Sequence, residues 1–224
     1  MIEFEGVGHA YGSRVVLSDV DLRIPERRVA FVGANGSGKS TLARTINGLV
    51  APTEGRVLVD GLDPVREGRA VRKRVGFLFT NPDSQIVMPT AGEDVAFSLR
   101  RSGLSKSERA ARAAEVLARY GLGDYVDHPA HQLSGGQKQL LALCAMLVLE
   151  PDILVCDEPT TLLDLRNKRR FAETLAGLSQ QVVLVTHDLE LLGGFDRVVV
   201  LDAGRVVADD APGPALAWYR KLTA

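Results

Sequence analysis

With 224 residues, 46% hydrophobic and 25% charged, the chain is long enough to bury a sizeable core as one domain or a core with a sub-lobe, and its composition excludes disorder and collagen-like structure. Its 27 basic and 28 acidic side chains leave a formal net charge of -1, so bulk electrostatics offer no case for nucleic acid or anionic lipid as the main partner. Cys144 and Cys156 sit in apolar runs without CxxC spacing, which predicts reduced core thiols and neither a disulfide framework nor a zinc site.

The N-terminal MIEFEGVGHAYG has no basic n-region and no apolar h-region, so no signal peptide and a cytoplasmic chain are expected. Short β-branched runs bounded by Gly and charge then predict strands at Arg28–Val32, Arg56–Val59, Val75–Phe79, Ile153–Cys156, Val182–Thr186 and Arg197–Leu201. Several of these are almost continuously apolar, as strands covered by helices on both faces must be. The expected fold class is therefore α/β, with a mostly parallel sheet. Between Pro82 and Pro151 the pattern turns helical. Ser105 with Glu108 forms a capping box, Ala110, Ala113, Ala114, Leu117 and Tyr120 share a face, and Gly121 ends the helix. Residues 82–150 thus read as a helical lobe inserted in a core made of 1–81 and 151–224, the whole forming one domain. The lobe's Arg100, Arg101, Lys106, Arg109, Arg112 and Arg119 read as a solvated face or a docking surface. Its longest apolar stretch, Leu140–Leu149, is short of the roughly 20 residues a membrane span requires.

Four motifs carry chemistry. Gly33, Ala34, Asn35, Gly36, Ser37, Gly38, Lys39 and Ser40 fit GxxxxGK[ST] between a strand and a helix expected to reach about Leu49. Glycines let the backbone curl so that its N–H groups point at phosphate oxygens, with the helix N-terminus adding positive potential. Lys39 then reaches the β- and γ-phosphates, and Ser40 offers its hydroxyl to Mg²⁺. Ser134, Gly135, Gly136 and Gln137 open an apolar helix at 138–149 and form a second small anion site. Ile153–Glu158 is an apolar strand that delivers Asp157, placed for a magnesium shell, and Glu158, placed to orient or deprotonate an attacking water. The strand at 182–186 presents His187 at its end, suited to sensing a γ-phosphate.

Together, GANGSGKST at 33–41, LSGGQ at 133–137, ILVCDE at 153–158 and His187 resemble the ATP-binding cassette family. The resemblance implies a P-loop NTPase core of RecA-like type with N-terminal antiparallel strands, and ATP hydrolysis with Mg²⁺. It also implies a head-to-tail dimer in which each ATP lies between one subunit's phosphate loop and the other's signature at 134–137. By position Tyr11 would stack on adenine, Thr41 would touch the α-phosphate, and Asp164 would contact across the dimer.

A finer resemblance lies in Asn81–Thr90 followed by Glu93–Phe97, which is similar to ATPases of energy-coupling-factor importers, the compact form being most similar to those of biotin importers. It implies a peripheral protein on the cytoplasmic membrane face and a transmembrane coupling subunit contacted near Gln85. A separate substrate-binding membrane protein is also implied, with no nucleic acid. The dimer is expected to be homomeric, a sister ATPase being the alternative. An importer of cobalt, nickel or another vitamin, and a soluble non-transport ATPase, remain alternatives to biotin import. Two departures stand out. Thr80 occupies the place where the family usually has a Gln that contacts magnesium and water, so either a water bridges the gap or Gln85 takes part of the role. The chain also ends soon after a hairpin-like Val198–Asp209, with the tail from Ala215 to Leu222 expected as one helix and no C-terminal extension.

Overall fold

The computed structural model describes residues 1–222; the last two residues of the expected 1–224 domain lie outside the described residues. Contacts gather the chain into two compact units, one of 1–75, 152–158 and 179–224 and one of 76–151 and 159–178.

The first unit holds two sheets. Strands β1 (Ile2–Tyr11), β2 (Arg14–Ile24) and β4 (Glu54–Val59) pair antiparallel in the order β2-β1-β4. These are the expected N-terminal antiparallel strands. Alternation of buried Ile2 and Phe4 with half-exposed neighbours gives β1 one core face, and register shifts after Phe4 interrupt it. The second sheet contains β3 (Arg28–Val32), β6 (Ile153–Asp157), β7 (Gln181–Val185), β8 (Arg197–Asp202) and β9 (Arg205–Asp210), ordered β6-β7-β3-β8-β9. Among these five strands the pairings are parallel except the β8–β9 hairpin. Every residue of β3 and β6 is buried, which is why their sequences run apolar without alternation. The α/β class with a mostly parallel sheet is as expected.

Helix α1 (Lys39–Thr45) is shorter than the sequence suggests. Gly48 takes φ +72° and its N–H bonds the Thr45 carbonyl, while the Leu49 and Val50 N–H groups both bond Arg44, so the chain winds off in a glycine-dependent helix end and not in further α-turns. α2 (Gly68–Arg74) leads to β5 (Val75–Leu78), and α7 (Pro212–Leu222) is the expected tail helix, beginning three residues earlier than Ala215.

The second unit is helical. It contains α3 (Ala91–Ser98), α4 (Lys106–Arg119), α5 (Gly135–Leu147) and α6 (Leu165–Ala176). The capping box at Ser105 and Glu108 forms as expected, and Gly121 follows α4 at φ +75°. The buried face of α4 differs: Ala113, Val116 and Leu117 are buried whereas Ala110 is exposed. Val116 shares a face with Ala113 at i+3, and its larger side chain removes more apolar area from water than Ala110 would. Cys144 and Cys156 are free and buried, and burial raises both thiols, Cys144 to about 12, so neither is a thiolate at neutral pH.

Candidate functional site

Within the first unit, β3 runs into the glycine loop and the loop into α1. The loop's shape depends on Gly33 and Gly38. Gly33 has φ +152°, and a Cβ there would lie 2.1 Å from the Leu201 carbonyl oxygen and 2.7 Å from Ser37 Oγ. Gly38 has φ +102°, and a Cβ would meet Leu17 Cδ2 and the Val16 oxygen at 2.8 Å. No other residue type closes this loop so tightly against β2 and β8.

Lys39 is buried, and its ammonium donates to the loop carbonyls of Gly33 and Ala34 at 2.8 and 2.9 Å. Burial pulls its pKa below the ordinary lysine value, while Glu158 and Asp157 oppose the shift. The amine is thus a desolvated cation whose hydrogen bonds to the Gly33 and Ala34 carbonyls can be exchanged for bonds to phosphate oxygens. Ser37 Oγ, in the same loop, is buried and makes no hydrogen bond among the described residues.

Asp157 closes β6 beside Val185 of β7 and is almost wholly buried. Its Oδ1 accepts the Ser40 hydroxyl at 2.6 Å and its Oδ2 the Arg44 guanidinium at 2.9 Å. Arg44 was not singled out from sequence, although it lies one helical turn beyond Ser40 and so on the same side of α1. Glu158 follows in the left-handed region, at φ +51°, with its N–H bonded to the Val185 carbonyl. A non-glycine residue held there is strained, and the turn swings the carboxylate off the strand axis. Glu158 Oε2 lies 2.7 Å from Nδ1 of His187. With the carboxylate ionised, the ring nitrogen is the donor, and the bond orients the acid.

Asp157 and Ser40 set two hard oxygen atoms side by side, the donor chemistry Mg²⁺ selects when phosphate and water complete its shell. Among the described residues no group of three or more His, Cys, Asp or Glu side chains could hold a metal alone. The orphaned Ser37 hydroxyl and the carbonyl-bound Lys39 supply matching donors for an anion, so the residues fit Mg²⁺-ATP. Thr41 is buried in α1, and the Tyr11 ring, half exposed, closes β1.

Within the second unit the signature opens α5. Ser134 is its N-cap: the hydroxyl accepts the Gln137 N–H at 3.3 Å and Gln137 Oε1 accepts the Ser134 N–H at 2.8 Å. That reciprocal box leaves the first-turn N–H groups of Gly135 and Gly136 as the helix's open donors. A Cβ on Gly136 would lie 2.5 Å from Asn167, whose N–H and amide bond Asp164, the N-cap of α6. Gln85 is turned back on the end of β5: Oε1 accepts the Phe79 N–H at 2.8 Å and Nε2 donates to the Phe77 carbonyl at 3.0 Å. Its amide is therefore committed to the end of β5. Thr80, two residues beyond β5, is half buried. Two further links anchor this segment to α5, Lys138 to Asp83 at 2.8 Å and Gln139 Nε2 to the Phe79 carbonyl at 3.3 Å. In the basic cluster, Arg100 stacks 4.0 Å over the Phe97 ring, while Arg112 and Arg119 pair with Glu115 and Arg112 also with Glu150.

A parallel sheet with a glycine loop running from β3 into α1, and paired acids at the end of β6 in the same sheet, defines a P-loop nucleotide-binding protein. The ABC transporter family model matches residues 17–161, and the chain belongs to that family. It is 53% identical to an ABC transporter ATP-binding protein of Deinococcus radiodurans, over 99% of this chain and 98% of the relative. It is 47% identical to the biotin transport ATP-binding protein BioM of Rhizobium etli, over 100% and 99% of the two chains. It is 41% identical to the energy-coupling factor transporter ATP-binding protein EcfA1 of Symbiobacterium thermophilum, over 98% and 82%. Among solved structures it resembles cbiO1 of Clostridium perfringens, part of the ABC transporter complex cbiONQ, with a TM-score of 0.86 and 31% identity over 99% and 94% of the chains. It also resembles the dimeric post-hydrolysis cassette MJ0796 bound to ADP and Pi, with a TM-score of 0.80 and 31% identity over 95% and 99%. The chain is thus an ABC ATPase of the energy-coupling-factor type. Among the described residues no helix is long and apolar enough to cross a membrane.

Proposed function

We propose that this ATPase energises an importer of the energy-coupling-factor type for biotin, as a homodimer on the cytoplasmic face of a membrane. The observation that carries the hydrolytic part is the cluster of Lys39, Ser40, Asp157, Glu158 and His187 in the first unit. Lys39, with the N–H groups of residues 33–38, holds the phosphate chain in place of its present carbonyl partners. Ser40 and Asp157 would hold Mg²⁺, which when bound neutralises phosphate charge. Glu158, oriented by His187, accepts the proton of the attacking water as the γ-phosphate is cleaved. Thr41 contacts the α-phosphate, Tyr11 stacks on adenine, and Ser134 to Gln137 with Asp164 meet the partner subunit's nucleotide.

Two things support the transport assignment: the relatives' names, BioM above all, and the segment around Gln85. That segment is braced against α5 by the Lys138–Asp83 and Gln139–Phe79 links, so a membrane subunit pressing near Gln85 acts on the signature helix through a short, stiff path. Glu158→Gln tests the chemistry. ATP should still bind while turnover falls by about 10²–10⁴; hydrolysis at the unmutated rate refutes the assignment. Copurification with membrane subunits, followed by uptake of labelled biotin into vesicles carrying the assembled complex, tests the substrate. Uptake of a different vitamin or of a transition metal in place of biotin would refute it.

A further inference from the structure

His9 is the one described histidine that is buried with both ring nitrogens making no hydrogen bond within the protein. A buried polar group without partners is costly, and an aliphatic side chain at this position of β1 would avoid the cost. The strand is irregular here. β1 pairs with β2 through Val7–Val20, His9–Leu17 and Ala10–Val15, with register shifts on both sides of His9. Such bulges re-aim side chains. What the imidazole meets is Tyr11, two residues on: the rings are 4.5 Å apart between centroids at 80°, an edge-to-face pair. The two are unlike in exposure, since His9 is 9% exposed and Tyr11 51%. A fixed ring thus backs one that projects into solvent next to the hairpin joining β1 to β2.

We propose that His9 is a positioning residue for base binding: it holds the Tyr11 ring at one tilt, so that its open face is presented to the adenine without a search over rotamers. The inference rests on Tyr11 stacking on the base. The chemistry suits the task. A near-perpendicular aromatic contact at 4.5 Å between centroids restricts rotation of the Tyr11 ring. Preorganising a side chain in this way raises affinity by lowering the ordering cost on binding. Edge-to-face pairs are worth about two- to tenfold in an equilibrium constant, which sets the expected effect.

The test uses the full chain and two probes, ATP and inorganic tripolyphosphate, with dissociation constants measured by calorimetry. His9→Ala is expected to weaken ATP binding about two- to tenfold and to leave tripolyphosphate binding unchanged. His9→Phe, which keeps the edge-to-face partner and removes the orphaned nitrogens, should bind ATP within about twofold of the unmutated chain and be more resistant to denaturant. In Tyr11→Ala, adding His9→Ala should cost nothing more for ATP. The proposal is overturned alone if Tyr11→Ala weakens ATP binding but His9→Ala does not. It is overturned alone, too, if His9→Ala weakens both probes equally, the mark of a purely structural residue, or if the two substitutions multiply. Unchanged ATP binding in Tyr11→Ala would overturn the stacking reading and this proposal with it. Should His9→Ala fail to fold, His9→Leu in the same comparison decides, with the loss confined to ATP expected.

Discussion

The Gln85 side chain acts as a piece of backbone. Its amide accepts from the N–H of Phe79 and donates to the carbonyl of Phe77, the pattern a neighbouring strand would offer at the end of β5. Gln85→Ala leaves both backbone groups without these partners in a half-buried place. Two hydrogen bonds of this kind contribute about 1–3 kcal/mol together, since water can reach part of the site. For a chain of this size that is on the order of a 5 °C fall in melting temperature, with faster amide exchange focused on Phe79. Gln85→Glu separates bond from bulk: the carboxylate still accepts from Phe79 but sets negative charge against the Phe77 carbonyl, so at neutral pH it should destabilise at least as much as alanine. Thermal unfolding followed by circular dichroism and residue-resolved hydrogen exchange give the two readings. A melting temperature within about 1 °C of the unmutated chain, with Phe79 exchange unchanged, would refute this role for Gln85.

Gly33→Ala should be severe, because its Cβ falls 2.1 Å from the Leu201 carbonyl oxygen and forces β8 or the loop to move. A loss of about 2 kcal/mol or more in denaturant titration, together with lost ATP binding, is expected. Asp94 is buried, accepts the N–H groups of Val87 and Met88, and has its pKa raised by desolvation. The folded state therefore holds its proton to higher pH than the unfolded chain. Its contribution to stability is greatest below the ordinary carboxylate range and is lost as pH rises through the raised value, with a slope of at most about 1.4 kcal/mol per pH unit. Asp94→Asn can still accept both N–H groups and should lose that slope in denaturant titrations across pH. Thr80→Gln restores the longer amide and should alter ATPase rate or transport per ATP in the assembled complex. No change in either would refute a special role for Thr80.

Much of this was legible in the chain itself because its signals are local. The limits of β3 are readable to the residue, since a strand buried on both faces is apolar throughout and bounded by charge and glycine. The capping box of α4 is a matter of four consecutive residues, and the glycine loop of eight. The limits of β1 and β2 are not legible in the same way, because the bulges around Val7 and His9 break the alternation that marks strand limits. The early end of α1 depended on Gly48 taking a left-handed conformation, which apolar spacing cannot report.

By itself, then, the sequence determined the phosphate loop, the signature, the paired acids and the α/β class, because each needs particular residue types at fixed short spacings. Only the tertiary structure decided which atoms meet. It brought Ser40 and Arg44 onto Asp157 across 113 or more residues, and His187 onto Glu158 across 29. It spent Gln85 on the β5 backbone and left His9 unbonded beneath Tyr11. Those outcomes follow from strand order and side-chain direction, which contacts distant in the chain set, and no local pattern encodes them.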